Sequence, residues 1–129
     1  MARQLSDLRV LVCEDEYLLA SDMATQLANR GVHVVGIMSR VSDIHAALGD
    51  DGFEADAAVL DLKLLDGDAA SVVVPMLARR IAVVLCTGYG TRDLPPELAH
   101  LPKVGKPTDI DELLAVLLDN AAPEDLEGE

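Results

Sequence analysis

The 129-residue sequence is poor in aromatic residues and in positive charge. It has one Phe, two Tyr and no Trp, and its 10 Lys and Arg face 23 Asp and Glu, for a formal net charge of −13. Nucleic acid and anionic membrane surfaces repel such a chain, so we expect neither as a partner. The sequence also has no apolar run near the ~20 residues that a membrane span needs, and no visible signal peptide.

Cysteine is scarce as well. Cys13 and Cys86 each lie at the end of a predicted strand, and we interpret them as small buried hydrophobic residues in a reducing cytoplasm. We do not expect these two cysteines to form a disulfide or to bind a metal ion together. His33, His45 and His100 are too scattered in the sequence to indicate a metal site or a catalytic triad. We therefore expect a cytoplasmic protein whose chemistry does not depend on Cys or His.

Half of the residues are hydrophobic, mostly Ala, Val and Leu, and the length is enough for one domain with its own core. Short apolar runs typical of buried strands alternate with segments of helical periodicity. The predicted strands are 8–13, 32–37, 57–61, 81–86 and a short one near Val104. The predicted helices are 16–30, 42–51, 68–80, with a kink at Pro75, and a last one capped by Thr108 and Asp111. Residues 92–101 are predicted to form only a short turn.

Strands that are separated by helices must run parallel, and their crossovers are right-handed. The alternation therefore predicts an α/β fold, a doubly wound five-stranded parallel sheet with helices on both faces. In such sheets, ligands bind beyond the carboxyl ends of the strands. The residues that follow each predicted strand are accordingly the candidates for a functional site.

Polar residues follow four of the predicted strands. They are Glu14 and Asp15 after the first, Asp61 after the third, Thr87 with Gly88 after the fourth, and Lys106 after the last. Taken singly, each has a structural explanation as a helix cap, a turn residue or a solvated charge. Asp66 and Gly67 are interpreted only as a turn that leads into the third helix. Taken together, the strand-end residues converge on one edge of the predicted sheet.

Three carboxylates at one edge repel each other unless a cation lies among them. Ligands that are all oxygen suit Mg²⁺, which often also binds phosphate oxygens. An aspartate can attack phosphorus to form an acyl phosphate. The ammonium of Lys106 and the hydroxyl of Thr87 would then neutralise the phosphoryl oxygens, and Gly88 would leave space beside them.

This arrangement resembles the receiver domain of bacterial two-component response regulators, over residues 1–122, followed by an acidic tail at 123–129. The resemblance rests on "VLVCEDE", "AAVLDLKL", "VVLCTGYG" and "GKP". It implies a flavodoxin-like strand order of 2-1-3-4-5, Asp61 as phospho-acceptor and a cis Lys106–Pro107 bond. The implied Mg²⁺ ligands are Glu14, Asp15, Asp61 and the backbone carbonyl of Lys63.

Two differences from ordinary receivers indicate a resemblance to a smaller group within the family. Ordinary receivers have Tyr or Phe where this chain has Lys103, and their loop after the acceptor is longer. Together with "CTGYG", these departures resemble the FAT GUY receivers, although Leu85 and Cys86 replace the Phe and Ala of that motif. Since no aromatic residue is present to rotate inward, we expect Tyr89 and the segment 88–101 to carry the signal.

The resemblance implies a single-domain response regulator that a histidine kinase phosphorylates. Its output would be binding to a phosphotransfer protein or downstream regulator, or draining phosphate from a shared kinase. It would not be an enzyme with a separate substrate, although it would assist its own phosphorylation and dephosphorylation. A phosphorylation-independent interaction module on the same fold is the alternative. A phosphatase of the haloacid dehalogenase type is disfavoured, because Lys63 stands where those enzymes have a second acid.

Overall fold

The computed structural model describes residues 4–88, 94 and 96–121. Its strands are β1 (Arg9–Cys13), β2 (His33–Met38), β3 (Ala57–Leu60), β4 (Lys63–Leu64), β5 (Gly67–Asp68), β6 (Ala82–Thr87) and β7 (Lys103–Gly105). Five of them form one parallel sheet in the order β2-β1-β3-β6-β7, and β4 and β5 form a separate antiparallel hairpin. Counted within the sheet alone, the order is 2-1-3-4-5, so the predicted doubly wound, flavodoxin-like fold is confirmed.

The central strands are buried because both faces of the sheet are covered. All four residues of β3 and the last four of β1 are buried, as continuous runs of Ala, Val, Leu and Cys require in a parallel sheet. The predicted bounds of the first four sheet strands differ from the observed ones by no more than one residue at either end. Cys13 and Cys86 are buried free thiols, as predicted.

Helices cover the two faces of the sheet. They are the 3-10 helix Leu5–Asp7, α1 (Tyr17–Asn29), α2 (Val41–Leu48), α3 (Ala70–Ala78), α4 (Pro96–Ala99) and α5 (Ile110–Asn120). Leu27 of α1 and Leu113 of α5 belong to one hydrophobic cluster. Ile44 of α2 and Met76 of α3 belong to another, on the opposite face. The sheet is therefore covered by α1 and α5 on one side, and by α2 and α3 on the other.

The start of α5 corrects one prediction. Asp109, not Thr108, is the N-cap residue, and its carboxylate accepts hydrogen bonds from the backbone amides of Asp111 at 2.9 Å and Glu112 at 3.3 Å. The Thr108 hydroxyl instead lies 3.0 Å from the thiol sulfur of Cys86. The capping box assigned to Thr108 is therefore wrong, because that side chain is used to join the loop before α5 to β6.

The β4–β5 hairpin was not predicted. It occupies the place where the sequence predicts only a turn at Asp66 and Gly67. Gly67 has a φ of 138°, a conformation that residues with a Cβ rarely adopt. An Asp-Gly pair is itself a hairpin signal, but the paired strands are only two residues long and leave no alternation to detect.

Two further predictions can be compared with the structure. The Lys106–Pro107 peptide bond is cis, as predicted, and Pro75 lies inside α3. Of the segment 88–101, residues 89–93 (Tyr89 among them) and 95 lie outside the described residues, as do the tail 123–129 and its boundary at residue 122. Among the residues that are described, no helix is both long and apolar enough to cross a membrane.

Candidate functional site

The pairing of β1 with β3 places two of the predicted acids side by side. Cys13 at the end of β1 pairs with Leu60 at the end of β3, so Glu14 and Asp61 leave neighbouring strands at the same level. The backbone amide of Asp61 still donates to the carbonyl of Cys13, at 2.9 Å. The carboxyl edge of the sheet therefore holds both acids close together.

Lys106 reaches this edge from two strands away. It follows Gly105, the last residue of β7, which pairs with Thr87 of β6. Its Nζ donates to Asp61 Oδ2 at 2.6 Å and to Glu14 Oε2 at 3.3 Å. The long side chain thus crosses the end of β6 and joins β7 to the acids that follow β3 and β1.

Asp15 completes a cluster of three carboxylates. One carboxylate oxygen from each of Glu14, Asp15 and Asp61 lies within 4.8 Å of the others. The side chains of Glu14 and Asp61 are only 5% and 14% exposed, so water screens their repulsion poorly. Among the described residues, Lys106 provides the one ammonium that is bonded to this cluster, and the donors are all oxygen. This donor set fits a hard divalent cation.

The excess of negative charge in the cluster affects the pKa values of Glu14 and Lys106. Burial, a hydrogen bond with Asp15 and the negative charge of Asp61 raise the pKa of Glu14 to about 7, although Lys106 acts in the opposite direction. Burial alone would lower the pKa of Lys106, but the hydrogen bond to Asp61 and the charges of Asp61 and Glu14 outweigh it and raise that pKa. Lys106 therefore stays charged, while Glu14 titrates near neutrality.

The backbone of Lys63 contacts the carboxylate of Asp61 from the other side. Its amide donates to Asp61 Oδ1 at 3.2 Å, while Oδ2 accepts from Lys106. Both oxygens of the Asp61 carboxylate are thus fixed in direction by donors on opposite sides. The assignment of the Lys63 carbonyl as a metal ligand stays a prediction.

Thr87 and Gly88 lie at the same edge of the sheet. Thr87 ends β6 and is buried, and none of the hydrogen bonds within the described part of the chain joins its hydroxyl to the acid cluster. Gly88 is exposed, and a Cβ placed on it would meet no atom of residues 4–88, 94 and 96–121 within 4 Å. The roles predicted for these two residues remain predictions that need a phosphoryl group to be tested.

Lys103 occupies the position where ordinary receivers have an aromatic residue. Its Nζ donates to the carbonyls of Ala99 and Leu101, each at 2.7 Å. These carbonyls belong to the end of α4 and the loop that follows it. The side chain therefore ties β7 to the α4 region, a role that the sequence pattern did not indicate.

Solved structures are similar to the chain over most of its length. The signal receiver domain of a protein described as a Luxo repressor, from Vibrio parahaemolyticus, is 25% identical, with a TM-score of 0.75 over 95% of this chain and 98% of its own. The BeF3-activated conformation of SdrG from Pseudomonas melonis Fr1 is 30% identical, with a TM-score of 0.72 over 88% of this chain and 97% of its own. The chain belongs to the receiver-domain family of response regulators.

A response-regulator structure of lower sequence identity has the same fold. It is a response regulator from Burkholderia pseudomallei with a phosphorylated aspartic acid, a calcium ion and citrate, 21% identical, with a TM-score of 0.70 over 86% of this chain and 66% of its own. Neither the protein-family models nor the curated proteins include a match to the receiver domain described here. Membership of the FAT GUY subfamily stays a prediction.

Proposed function

We propose that this receiver domain accepts a phosphoryl group on Asp61 from the phosphohistidine of a histidine kinase, in a Mg²⁺-dependent reaction in the cytoplasm. One observation carries the proposal. Lys106 Nζ contacts both Asp61 and Glu14 inside a cluster of three carboxylates at the carboxyl edge of the sheet. An acceptor carboxylate, a fixed cation and a place for a divalent metal are the parts that phosphoryl transfer to aspartate requires.

In the proposed reaction, a carboxylate oxygen of Asp61 attacks phosphorus. The new O–P bond forms as the P–N bond of the phosphohistidine breaks, and the released imidazole nitrogen takes a proton from water. Lys106 and the hydroxyl of Thr87 donate to the phosphoryl oxygens and neutralise their charge. Glu14, Asp15, Asp61 and the Lys63 carbonyl would hold Mg²⁺, which supplies further positive charge beside those oxygens.

Two similar structures support this chemistry. SdrG was solved in a BeF3-activated conformation, and the Burkholderia response regulator has a phosphorylated aspartic acid together with a calcium ion. In this chain, Asp61 is the aspartate that both Lys63 and Lys106 orient. It is therefore the residue on which we place the phosphoryl group.

Exposed apolar side chains beside the acids support a protein as the phosphodonor. Leu18 is 82% exposed, Tyr17 65% and Leu65 56%. Tyr17 and Leu18 begin α1 directly after Glu14 to Glu16, and Leu65 lies in the hairpin that follows Asp61. A kinase domain that covers these side chains would bring its phosphohistidine to the acceptor.

We place the output of the domain in the region after Thr87. Because Lys103 replaces the aromatic residue of ordinary receivers and already binds the carbonyls of Ala99 and Leu101, a change in this region would be passed to α4 and β7. The phosphorylated domain would then bind a phosphotransfer protein or downstream regulator, or serve as a phosphate sink. It would not turn over a separate substrate.

The deciding experiment measures the intact mass of the protein after incubation with a small phosphodonor and Mg²⁺. We expect the wild type to gain one phosphoryl group, Asp61→Asn to gain none, and the control Asp22→Asn, on the exposed side of α1, to behave as the wild type. A wild type without any gain, or a gain that persists in Asp61→Asn, would instead support the phosphorylation-independent interaction module.

A further inference from the structure

The hairpin that follows Asp61 is closed and faces the acceptor. The amide of Ala69 donates to the carbonyl of Leu62 at 2.9 Å and closes its base. Its first strand begins at Lys63, the residue whose amide donates to Asp61 Oδ1. Leu64 is buried in the cluster between the sheet and the helices α2 and α3. Any displacement of this hairpin therefore changes the position of the Lys63 backbone beside the acceptor.

The other end of the hairpin is attached to α2. The carboxylate of Asp66 accepts from the amides of Val41 at 2.6 Å and Ser42 at 3.1 Å, the first two residues of that helix. The amide of Leu65 donates to the carbonyl of Ser39 at 2.9 Å. The N-cap residue of α2, Arg40, provides no side-chain acceptor of its own. Asp66 therefore caps α2 from outside the helix.

The helix α2 is itself held firmly. At its C-terminal end, the guanidinium of Arg79 donates to the carbonyls of Leu48 at 2.9 Å and Asp50 at 3.1 Å. Ile44, in the middle of the helix, is fully buried. Asp66 thus attaches the hairpin to a helix that is itself held in place by the rest of the fold.

The charge on Asp66 suits this attachment. Partial desolvation would raise its pKa, but the hydrogen bonds from the amides of Ser42 and Val41 outweigh it and lower the pKa below the usual value of an aspartate. The carboxylate is negative at neutral pH and lies at the positive end of the helix dipole.

We propose that Asp66 is a positioning residue for the metal and phosphoryl site. By attaching the hairpin to α2, it sets the Lys63 backbone, whose amide orients Asp61 and whose carbonyl is the implied metal ligand. The inference rests on the function proposed above. It follows from linkage that a bound metal strengthens the Asp66 attachment as much as the attachment strengthens metal binding.

The first test compares Mg²⁺ dissociation constants by isothermal titration calorimetry. We expect Asp66→Ala to weaken Mg²⁺ binding roughly tenfold, the lower end of the range for residues that orient metal ligands. Asp66→Asn keeps one acceptor oxygen and should weaken it less. The matched control is Asp43→Ala, which removes an exposed acid from the first turn of the same helix without touching the hairpin. Unchanged Mg²⁺ binding in a folded Asp66→Ala variant would overturn the proposal.

The second test needs no variant, so it stands even if Asp66→Ala does not fold. Amide hydrogen exchange of the wild type is measured with EDTA and with saturating Mg²⁺. We expect the amides of Val41 and Ser42 to exchange at least about threefold more slowly with Mg²⁺, because the metal and the attachment are linked. Equal exchange rates in the two conditions would mean that Asp66 only caps α2.

The two proposals fail in different ways. A wild type that neither binds Mg²⁺ nor gains a phosphoryl group would refute the proposed function, and this inference with it. A wild type that does both, with Asp66 variants that bind Mg²⁺ equally well, would refute only the role of Asp66.

Discussion

Lys106 Nζ lies 2.6 Å from Asp61 Oδ2, although Lys106 follows β7 and Asp61 follows β3, with β6 between them. This contact places the positive charge of Lys106 beside the carboxylate that we propose as the phospho-acceptor. Its consequences can be measured through metal affinity, pH dependence and phosphorylation.

Removing the ammonium should favour a cation in the site. Lys106→Met removes the ammonium that the described residues place in the carboxylate cluster, so we expect Mg²⁺ to bind roughly tenfold more tightly than in the wild type at about pH 8, where Glu14 is ionised. Lys103→Met removes a lysine from β7, the strand that precedes Lys106, but not from the cluster, and its Mg²⁺ affinity should be unchanged. Weaker binding in Lys106→Met would show that Lys106 organises the carboxylates more than it repels the metal.

Mg²⁺ affinity should depend on pH through Glu14. Its pKa is raised to about 7, so below that pH the metal must displace a proton to use this carboxylate. We expect the affinity to rise about tenfold between about pH 6 and about pH 8, as titration calorimetry would measure. Glu14→Gln should bind Mg²⁺ more weakly and without this slope. Glu54→Gln, which alters an exposed acid before β3, should keep it.

The stability of the metal-free protein should change in the opposite direction. Because the pKa of Glu14 is higher in the folded state than its usual 4.5, the folded state holds the proton more tightly. The stabilisation of the folded state that comes from this proton is complete at pH values below the usual pKa of 4.5. It is lost as the pH rises through about 7. Urea unfolding in EDTA should give a free energy of unfolding about 1 kcal/mol lower at about pH 8 than at about pH 6. If Glu14→Gln shows the same difference in the free energy of unfolding between the two pH values, a group other than Glu14 causes it.

The prediction that Gly88 leaves space beside a phosphoryl group can be tested by substitution. A Cβ on Gly88, or on the control Gly105, meets no atom of the described residues within 4 Å, so neither Gly→Ala change should clash with that part of the unphosphorylated protein. We expect Gly88→Ala to slow phosphorylation by a small phosphodonor about tenfold or more through crowding of the transition state. Gly105→Ala should react as the wild type does. Equal rates for both variants would show that Gly88 does not provide space for the phosphoryl group.

Leu18 should matter only when the phosphodonor is a protein. We expect Leu18→Ser to slow phosphotransfer from a histidine kinase about tenfold, by removing apolar contact area of the docked complex, and to leave the reaction with a small phosphodonor unchanged. Val74→Ser alters a side chain on α3 that is 68% exposed on the opposite face of the sheet, and should affect neither reaction. A matching loss with the small donor would indicate damage to the site itself.

Much of this architecture follows from the order of residue types along the chain. Apolar runs separated by helical segments leave only a parallel sheet with crossovers as a compact solution, and β1, β2, β3 and β6 begin and end within one residue of their predicted positions. The acids after β1 and β3 had to meet at one edge, because the carboxyl ends of parallel strands lie together. Glu14, Asp15, Asp61 and Lys106 could thus be selected before any distance was known.

The partners of individual side chains could not be predicted in this way. Asp66 and the amide of Val41 are 25 residues apart in the sequence, and no local pattern connects a hairpin carboxylate with a helix whose own N-cap residue provides no acceptor. Thr108 has the sequence spacing of a helix cap, yet its hydroxyl contacts Cys86, which is 22 residues away in the sequence, and Asp109 caps the helix instead.

The sequence by itself determined the type of sheet, the edge at which chemistry is possible and the residues that reach it, because these depend on alternation and on strand direction. Only the tertiary structure decided how charged that edge is and what holds it in place. Burial of Glu14 beside Asp61, the reach of Lys106 across β6 and the attachment of the hairpin to α2 all depend on distances between segments that are remote in the chain.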